Sequence, residues 1–322
     1  NVFPGVRGRT CDRPCEPTCR RGRVEEKPVA ICRLKRVAAD NKGELDDRLP
    51  VIPTNKNGKR VALVGAGPAS LTVARDLAPL GYDIVLFEKD PQAGGAIRTQ
   101  IPAFRLPASV LDEEVDRILD MGVEAHFNSP VESLGHLLGQ GFDAVFVGSG
   151  APRGRNLKAD GREEAADNIH IGIEWLGGVA FGHIESIGKR VLVLGGGNTA
   201  MDCCRTAVRL GADDVKVVVR SGFDEMKASD WEKEDAIGEG IPIINFHVPK
   251  AFLHKNGQLT GMQFEVVRAE YDKTGRRKLV STGAEPVVFE CDDVLLAIGQ
   301  ENAFPWIEQD VGVNFDEWGM PV

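Results

Sequence analysis

The stretch Val61-Ala-Leu-Val-Gly-Ala-Gly-Pro-Ala-Ser70 sets a short apolar run directly before a glycine-rich turn. About 130 residues later the chain repeats this arrangement as Val191-Leu-Val-Leu-Gly-Gly-Gly-Asn-Thr-Ala200. Each apolar run is typical of a buried parallel strand, and each turn leads into a segment compatible with a helix. A strand, a glycine turn and a helix N-terminus together present backbone N–H groups to a pyrophosphate. Two such turns predict a chain that holds two dinucleotides and passes a hydride between them.

The first turn meets the requirements of a dinucleotide fold closely. Gly65 and Gly67 stand where the chain must bend tightly and approach a phosphate, and Ser70 takes the third, small position. A second strand is predicted at Asp83–Phe87, and Glu88 follows it. A carboxylate at the end of that strand accepts hydrogen bonds from a ribose, so we predict that Glu88 does so.

Three further glycine clusters are candidate cofactor contacts. Gly94 and Gly95 would allow the backbone to approach a flavin or its phosphates, although a plain loop is the alternative. Gly150 and Gly299 each lie just beyond an apolar run, where the chain is expected to cross between two nucleotide domains.

The second turn differs from the first at the end of its second strand. Gly195 and Gly197 repeat the glycine logic, and a helix is predicted at 198–210. The strand predicted at 215–219 is followed by Arg220 instead of an acid. A guanidinium there suits a 2′-phosphate, which favours NADP; an exposed arginine beside an NAD site is the alternative.

The remaining pattern completes an α/β chain. It predicts helices at 30–40 and 107–121, strands at 144–147 and 294–298, and an antiparallel excursion at 241–246, 263–267 and 286–289.

Composition excludes several classes of protein. The 322 residues are 42% apolar and 27% charged, and no run approaches the ~20 apolar residues of a membrane helix. Net charge is −9, yet residues 1–50 carry 12 Lys+Arg against 8 Asp+Glu. No aromatic residues interleave these basic ones, so we expect a docking surface, or charge compensation for an anionic cluster, and not a nucleic-acid site.

Seven cysteines, an odd number, do not resemble a secreted disulfide framework, and we expect a cytoplasmic protein. Cys11, Cys15 and Cys19 lie in a segment broken by proline, and Cys32 is near. These thiols are candidate iron–sulfur ligands; orphaned thiols in a degenerate domain are the alternative.

The adjacent Cys203 and Cys204 point about 100° apart on a helix, so a disulfide between them would be strained. We predict that they and Cys291 are packing residues. A redox-active Cys-x-x-Cys is absent from the sequence, which argues against a stand-alone enzyme of the thioredoxin reductase kind.

Nearly the whole chain resembles the small (beta) subunit of NADPH-dependent glutamate synthase and related FAD-dependent pyridine nucleotide oxidoreductases. The matching stretches are Arg9-Thr-Cys-Asp-Arg-Pro-Cys-Glu-Pro-Thr-Cys19, Pro28-Val-Ala-Ile31, Val64-Gly-Ala-Gly-Pro-Ala69, Phe104-Arg-Leu-Pro107, Gly195-Gly-Gly-Asn-Thr-Ala-Met-Asp202 and Leu295-Leu-Ala-Ile-Gly-Gln300. The resemblance implies two Rossmann-like dinucleotide-binding domains of the flavin disulfide reductase kind, preceded by a helical, cysteine-containing segment. FAD would bind the first fold, NAD(P)H the second, and a [4Fe-4S] cluster the N-terminal segment.

The expected domains are 1–57 for the cysteine segment, 58–155 with 293–322 for FAD, and 156–292 for NAD(P)H. The family's closing Gly-Asp motif would follow Val322, so we expect an FAD domain that is incomplete at its C-terminus. The candidate cofactor-binding residues are Gly65, Gly67, Pro68, Ala69, Ser70, Glu88, Gly94, Gly95, Arg105, Gly150, Gly195, Gly197, Asn198, Thr199, Ala200, Arg220 and Gly299. The candidate metal ligands are Cys11, Cys15 and Cys19.

This chain departs from the family at positions that bear on the choice of nucleotide and on iron–sulfur ligation. The family usually has two arginines where this chain has Arg220 and Ser221, it has arginine at the position of Cys32, and its further cysteines precede residue 1. The resemblance predicts an electron-transfer subunit that exchanges a hydride between NAD(P)H and FAD, with no acid or base nominated. Its redox partner subunits would carry iron–sulfur clusters. A true glutamate synthase small subunit, a stand-alone flavin reductase and a non-enzymatic scaffold remain as alternatives.

Overall fold

A computed structural model describes residues 2–43, Leu45 and 49–322 of the chain. Their contacts divide into two compact units. One unit runs as far as Gly150 and resumes at 302–322, and the other comprises 151–301. Among the described residues, no helix is both long enough and apolar enough to cross a membrane.

The first unit combines a small parallel sheet with helices. Its elements are α1 (Pro4–Thr10), α2 (Ile31–Asp40), β1 (Arg60–Val64), α3 (Pro68–Leu77), β2 (Asp83–Phe87), α4 (Ala96–Thr99), α5 (Ala108–Leu119), β3 (Glu124–His126), α6 (Leu134–Leu138) and β4 (Ala144–Val147). The strands pair in the order β3-β2-β1-β4, all parallel. β1 is the inner strand that leads into the glycine turn, as the sequence predicts for a buried parallel strand.

The N-terminal helix belongs to the core of the first unit. Phe3 and Val6 are buried against Leu63 of β1 and Leu111 of α5. The carboxylate of Glu114, buried on α5, accepts hydrogen bonds from the backbone N–H groups of Gly5 and Val6 at 2.5 and 3.2 Å. The boundary predicted at residue 57 therefore does not separate an independent segment, because α1 shares a hydrophobic core with the sheet.

The second unit holds a larger parallel sheet and an antiparallel one. Its elements are β5 (Arg153–Gly154), β6 (Ile169–Ile171), α7 (Gly172–Ala180), β7 (Arg190–Leu194), α8 (Asn198–Arg209), β8 (Asp214–Val218), α9 (Asp230–Gly238), β9 (Ile243–Ile244), β10 (His247–Lys255), β11 (Gln258–Tyr271), β12 (Arg277–Ser281), β13 (Val287–Glu290), β14 (Asp293–Leu296) and β15 (Gln300–Glu301). The parallel order is β6-β14-β7-β8-β9, while β10, β12 and β13 pair antiparallel with β11.

Two strands lie elsewhere than the sequence predicts. β14, expected in the FAD domain as part of 293–322, lies between β6 and β7 and hydrogen-bonds both. Val294 and Leu295 are fully buried there, which explains the apolar run. β9, expected in the antiparallel excursion, instead extends the parallel sheet beside β8. Both corrections concern strands whose partners are remote in sequence.

A charge network joins α8 to α9 in the second unit. Glu239 accepts hydrogen bonds from Arg205 at 2.9 Å and from Arg209 at 2.7 Å. The Arg209 guanidinium, followed by that of Arg205, lowers the pKa of Glu239 to about 2. Arg205 itself is buried, so loss of its partner would leave a buried charge without full compensation.

We expect Glu239→Gln to lower the free energy of unfolding by about 1–3 kcal/mol at neutral pH. Because the folded-state pKa is depressed, the contribution of Glu239 is present above the ordinary pKa of 4.5 and is lost as pH falls toward 2. Denaturant unfolding between pH 7 and pH 3 should therefore show the variant and the parent converging in acid. Glu234→Gln, at an exposed position on the same helix, is the matched control; equal effects of the two substitutions would contradict this account.

Candidate functional site

The first glycine turn, residues 65–70, has the geometry of an anion-binding site, and we call it the first cradle. Gly65 has φ +91°, and a Cβ on it would lie 2.8 Å from the carbonyl oxygen of Gly148, so only glycine fits without strain. Gly67 is the N-cap of α3 in an extended conformation and contributes no side-chain cap. The helix therefore begins with its backbone N–H groups open to a ligand, as a pyrophosphate requires.

Glu88 lies beside this turn, as the sequence predicts. Its carboxylate is buried and accepts hydrogen bonds from the N–H of Ala66 at 2.6 Å and of Asp90 at 3.0 Å. Each carboxylate oxygen has a second lone pair, so a ribose hydroxyl can still donate to it. The sequence did not predict these backbone contacts, through which Glu88 also connects the end of β2 to the glycine turn.

Gly94 and Gly95 lie directly against the first glycine turn. The N–H of Gly94 donates to the carbonyl of Ala66 at 2.8 Å. Gly95 has φ +52°, and a Cβ on it would lie 2.8 Å from the Cα of Gly67. The hydroxyl of Ser70 is buried with no hydrogen-bond partner among the described residues. The bare glycines fit a phosphate-bearing group such as FAD, whereas the Ser70 hydroxyl packs against Gly148.

Of the other first-unit candidates, Pro68 and Ala69 belong to this turn, whereas Gly150 and Arg105 lie outside it. Pro68 and Ala69 are exposed in the first turn of α3, and Gly150 has φ +69° with open space at its Cβ position. Arg105 is half-buried in the turn between α4 and α5. A cavity of about 450 Å³ lies between α1 and α3, with Pro68 and Thr72 in its wall.

The second glycine turn, residues 195–200, has the same arrangement with even less space at its first glycine, and we call it the second cradle. Gly195 has φ +142°, and a Cβ on it would lie 2.2 Å from the carbonyl oxygen of Ala297, just beyond β14. Gly197 is the extended N-cap of α8, again without a side-chain cap, and its Cβ position has nothing within 4 Å. An open helix N-terminus beside bare backbone fits a second dinucleotide.

The remaining candidates of the second unit have distinct positions. Ala200 is fully buried under the first turn of α8, and Thr199 is half-buried. Arg220 lies two residues beyond β8, is exposed, and makes no ion pair with any residue that the structure describes. Gly299 has φ +121° and lies near the side chain of Arg155.

Sequence reasoning missed the loop that wraps this second turn. The N–H of Ala228 donates to the carbonyl of Gly196 at 2.9 Å, and the N–H of Ser229 donates to Oδ1 of Asn198 at 2.9 Å. Met226 is buried, and a Cβ on Gly196 would lie 3.3 Å from its Cγ. These partners are about 30 residues apart along the chain, and no local pattern signals them.

The candidate metal ligands do not form a closed set. Cys15 is exposed, while Cys11 and Cys19 are partly exposed. A hydrogen bond from the backbone of Val29 lowers the pKa of Cys19. In residues 2–43, Leu45 and 49–322, no three His, Cys, Asp or Glu side chains come together as a metal site. The described thiols therefore do not by themselves complete the ligand set of a [4Fe-4S] cluster, and their role as ligands stays a prediction.

Four cysteines are buried in the structure. Cys32 has its thiol 3.4 Å from the carbonyl of Gly8, so it packs α2 against α1. Burial raises the pKa of Cys203 well above its ordinary value and that of Cys204 to about 12. Burial likewise raises the pKa of Cys291 to about 12. Cys203, Cys204 and Cys291 are therefore expected to remain thiols near neutral pH, and their burial confirms the prediction of packing residues.

Most of the chain is similar to a known protein family and to solved structures. Residues 59–322 match the pyridine nucleotide-disulphide oxidoreductase family. The solved structure of Mycobacterium tuberculosis FprA in complex with NADPH shares the fold at a TM-score of 0.65 and 17% identity, over 80% of this chain and 73% of that one.

Two curated relatives are similar over 99% of this chain. The NADPH-Fe(3+) oxidoreductase subunit beta of Geobacter sulfurreducens is 36% identical, and the match covers 48% of that protein. The glutamate synthase [NADPH] small chain of Escherichia coli is 34% identical, and the match covers 71% of it. The chain thus spans about half the length of the first of these relatives.

Proposed function

This chain belongs to the pyridine nucleotide-disulphide oxidoreductase family, whose members bind FAD and NAD(P)H, and on that premise we propose that it is an electron-transfer subunit. The observation that carries the proposal is the pair of uncapped helix N-termini, at Gly67 and Gly197, each preceded by a glycine, Gly65 or Gly195, whose position no larger residue fits. We assign FAD to the first cradle and NAD(P)H to the second. When bound, these two groups supply the hydride chemistry.

The residues of this chain bind and orient the cofactors in this proposal. The open N–H groups of α3 and α8 neutralise the two pyrophosphates, and Glu88 receives the ribose hydroxyls at the first cradle. The four buried cysteines and the absence of a Cys-x-x-Cys disfavour disulfide reduction. The electrons would leave to a partner.

Rapid mixing tests the core of the proposal. Purified protein should contain FAD, and anaerobic NADPH or NADH should bleach its flavin absorbance. Protein that binds no flavin, or flavin that neither nucleotide bleaches, would disprove the assignment.

Arg220 is assigned to the 2′-phosphate of NADPH. We expect Arg220→Gln to weaken NADP⁺ binding about 10- to 100-fold, because one charge-assisted contact contributes about 1.5–3 kcal/mol. Binding of NAD⁺, which lacks the phosphate, should change less than about twofold. Titration calorimetry measures both constants. Lys255→Gln removes one exposed positive charge elsewhere in the same unit as a control, and a uniform loss for both nucleotides would refute the assignment.

The partner is proposed from the relatives' names. Both curated relatives named above are called a subunit or small chain. We infer that this chain works in a hetero-oligomer and passes electrons to iron–sulfur centres of another subunit. Affinity purification from the native source, with iron analysis of the complex, should recover an iron-containing redox subunit; an iron-free assembly would overturn this part alone.

A further inference from the structure

The loop that carries Arg220 is held by a hairpin distant in sequence. Glu225, five residues after Arg220, accepts a hydrogen bond from the hydroxyl of Tyr271 at 2.5 Å and from Nη1 of Arg277 at 2.7 Å. Tyr271 ends β11 and Arg277 begins β12, so both donors flank the same hairpin turn. The hairpin therefore binds the loop through the carboxylate of Glu225.

The same carboxylate also fixes the loop backbone next to Arg220. Oε2 of Glu225 accepts a hydrogen bond from the N–H of Gly222 at 2.9 Å. Nδ2 of Asn245 donates to the carbonyl of Ser221 at 2.9 Å. The two residues that follow Arg220 are thus each held by a side-chain hydrogen bond, while the Arg220 side chain stays exposed.

The negative charge on Glu225 gives its contacts with the hairpin an electrostatic consequence as well as a structural one. The Tyr271 hydroxyl, with the Gly222 N–H and Arg277, lowers the pKa of Glu225, so the group is a carboxylate at neutral pH. This negative charge lies five residues from Arg220 in the same loop, so it would oppose the binding of a dianionic phosphate at Arg220. Arg277 forms an ion pair with Glu225 and cancels that charge.

We infer that Tyr271 and Arg277 are positioning residues for cofactor selection: both hold Glu225, and Arg277 neutralises its charge, so that Arg220 can receive a ribose 2′-phosphate. The ligand class is a dinucleotide with a phosphate monoester at that ribose position. This inference rests on the proposed role of Arg220 and adds a specificity element that lies more than 50 residues from it in sequence.

Nucleotide binding to the flavin-containing protein tests the inference. Arg277→Gln should weaken NADP⁺ binding about tenfold and leave NAD⁺ binding within about twofold, because only NADP⁺ experiences the uncompensated carboxylate. Arg276→Gln is the matched control: it removes the same charge from the neighbouring exposed position, whose side chain does not contact Glu225. Adding Glu225→Gln to Arg277→Gln should restore part of the NADP⁺ affinity, since it removes the charge that Arg277 balanced.

The outcomes separate this inference from the proposed function. If Arg220→Gln leaves the ratio of NADP⁺ to NAD⁺ affinity unchanged, the role of Arg220 fails and this inference fails with it. If Arg220→Gln alters the ratio but Arg277→Gln matches Arg276→Gln, only the inference is overturned. An equal loss of both nucleotides in Arg277→Gln, or no rescue in the double variant, also overturns it by indicating a purely structural hairpin.

Discussion

Gly67→Asp is expected to produce a folded protein that contains no flavin. Gly67 is the N-cap of α3, with φ −77° and ψ 177°, the extended conformation that N-cap residues adopt. Its Cβ position has only the carbonyl oxygen of Gly148 nearby, at 4.0 Å. Aspartate is among the preferred N-cap residues, so its carboxylate would accept hydrogen bonds from the open N–H groups of the helix. Those are the groups that the pyrophosphate of FAD needs.

The effect on binding should be large because two contributions act together. Each lost hydrogen bond to a charged phosphate amounts to about 1.5–3 kcal/mol, and the new carboxylate also repels the anion. Loss of two such bonds would weaken binding by about a hundredfold or more. Stability of the apoprotein should be unchanged or slightly higher, since glycine is a weaker cap than aspartate.

Flavin content and thermal unfolding of the purified variant are the measurements. The absorbance of bound FAD should vanish, and NADP⁺ should still bind because the second cradle is untouched. A Gly67→Asp variant that retains FAD at the parent's occupancy would show that the flavin does not use the α3 N-terminus. A variant that also loses NADP⁺ binding would indicate general unfolding.

Gly197→Asp is expected to give the complementary phenotype. Gly197 is the N-cap of α8, with φ −102° and ψ 175°, and has nothing within 4 Å of its Cβ position. The aspartate again caps the helix and fills the place of a pyrophosphate. The protein should purify with its flavin, but NADPH and NADH should no longer reduce that flavin at nucleotide concentrations that saturate the parent.

The two variants serve as controls for each other. They make the same substitution at the same helix position in two cradles, so capping and charge effects are matched. Nucleotide binding should fall about a hundredfold or more in Gly197→Asp by the reasoning used for Gly67→Asp. If both variants lost FAD and kept NADP⁺, or if the phenotypes were exchanged, the assignment of the cofactors to the cradles would be wrong.

Much of the fold follows from short stretches of sequence. The strand predicted at Asp83–Phe87 has the same bounds in the structure, and the helix predicted from Asn198 begins there. Gly65 and Gly195 adopt the positive φ that the turn pattern demands. These features depend on side-chain periodicity and on backbone freedom within a few residues, and both can be read from the chain directly.

Other features depend on partners far away along the chain. The apolar run at Val294 predicts a strand, but only the structure shows that it lies between β6 and β7. Glu225 is separated from Tyr271 by 46 residues and from Arg277 by 52, so no local pattern joins them. Likewise, the cysteine spacing suggested a ligand set, whereas the described side chains form none.

The sequence by itself determined that two glycine turns, each between a buried strand and a helix, would offer open backbone N–H groups to phosphates. The tertiary structure alone decided which sheet received β14 and which hairpin held the Arg220 loop. The physical reason is that a turn is specified by the conformational limits of adjacent residues. A pairing across the fold is specified by the burial and charge balance that packing creates once distant segments meet.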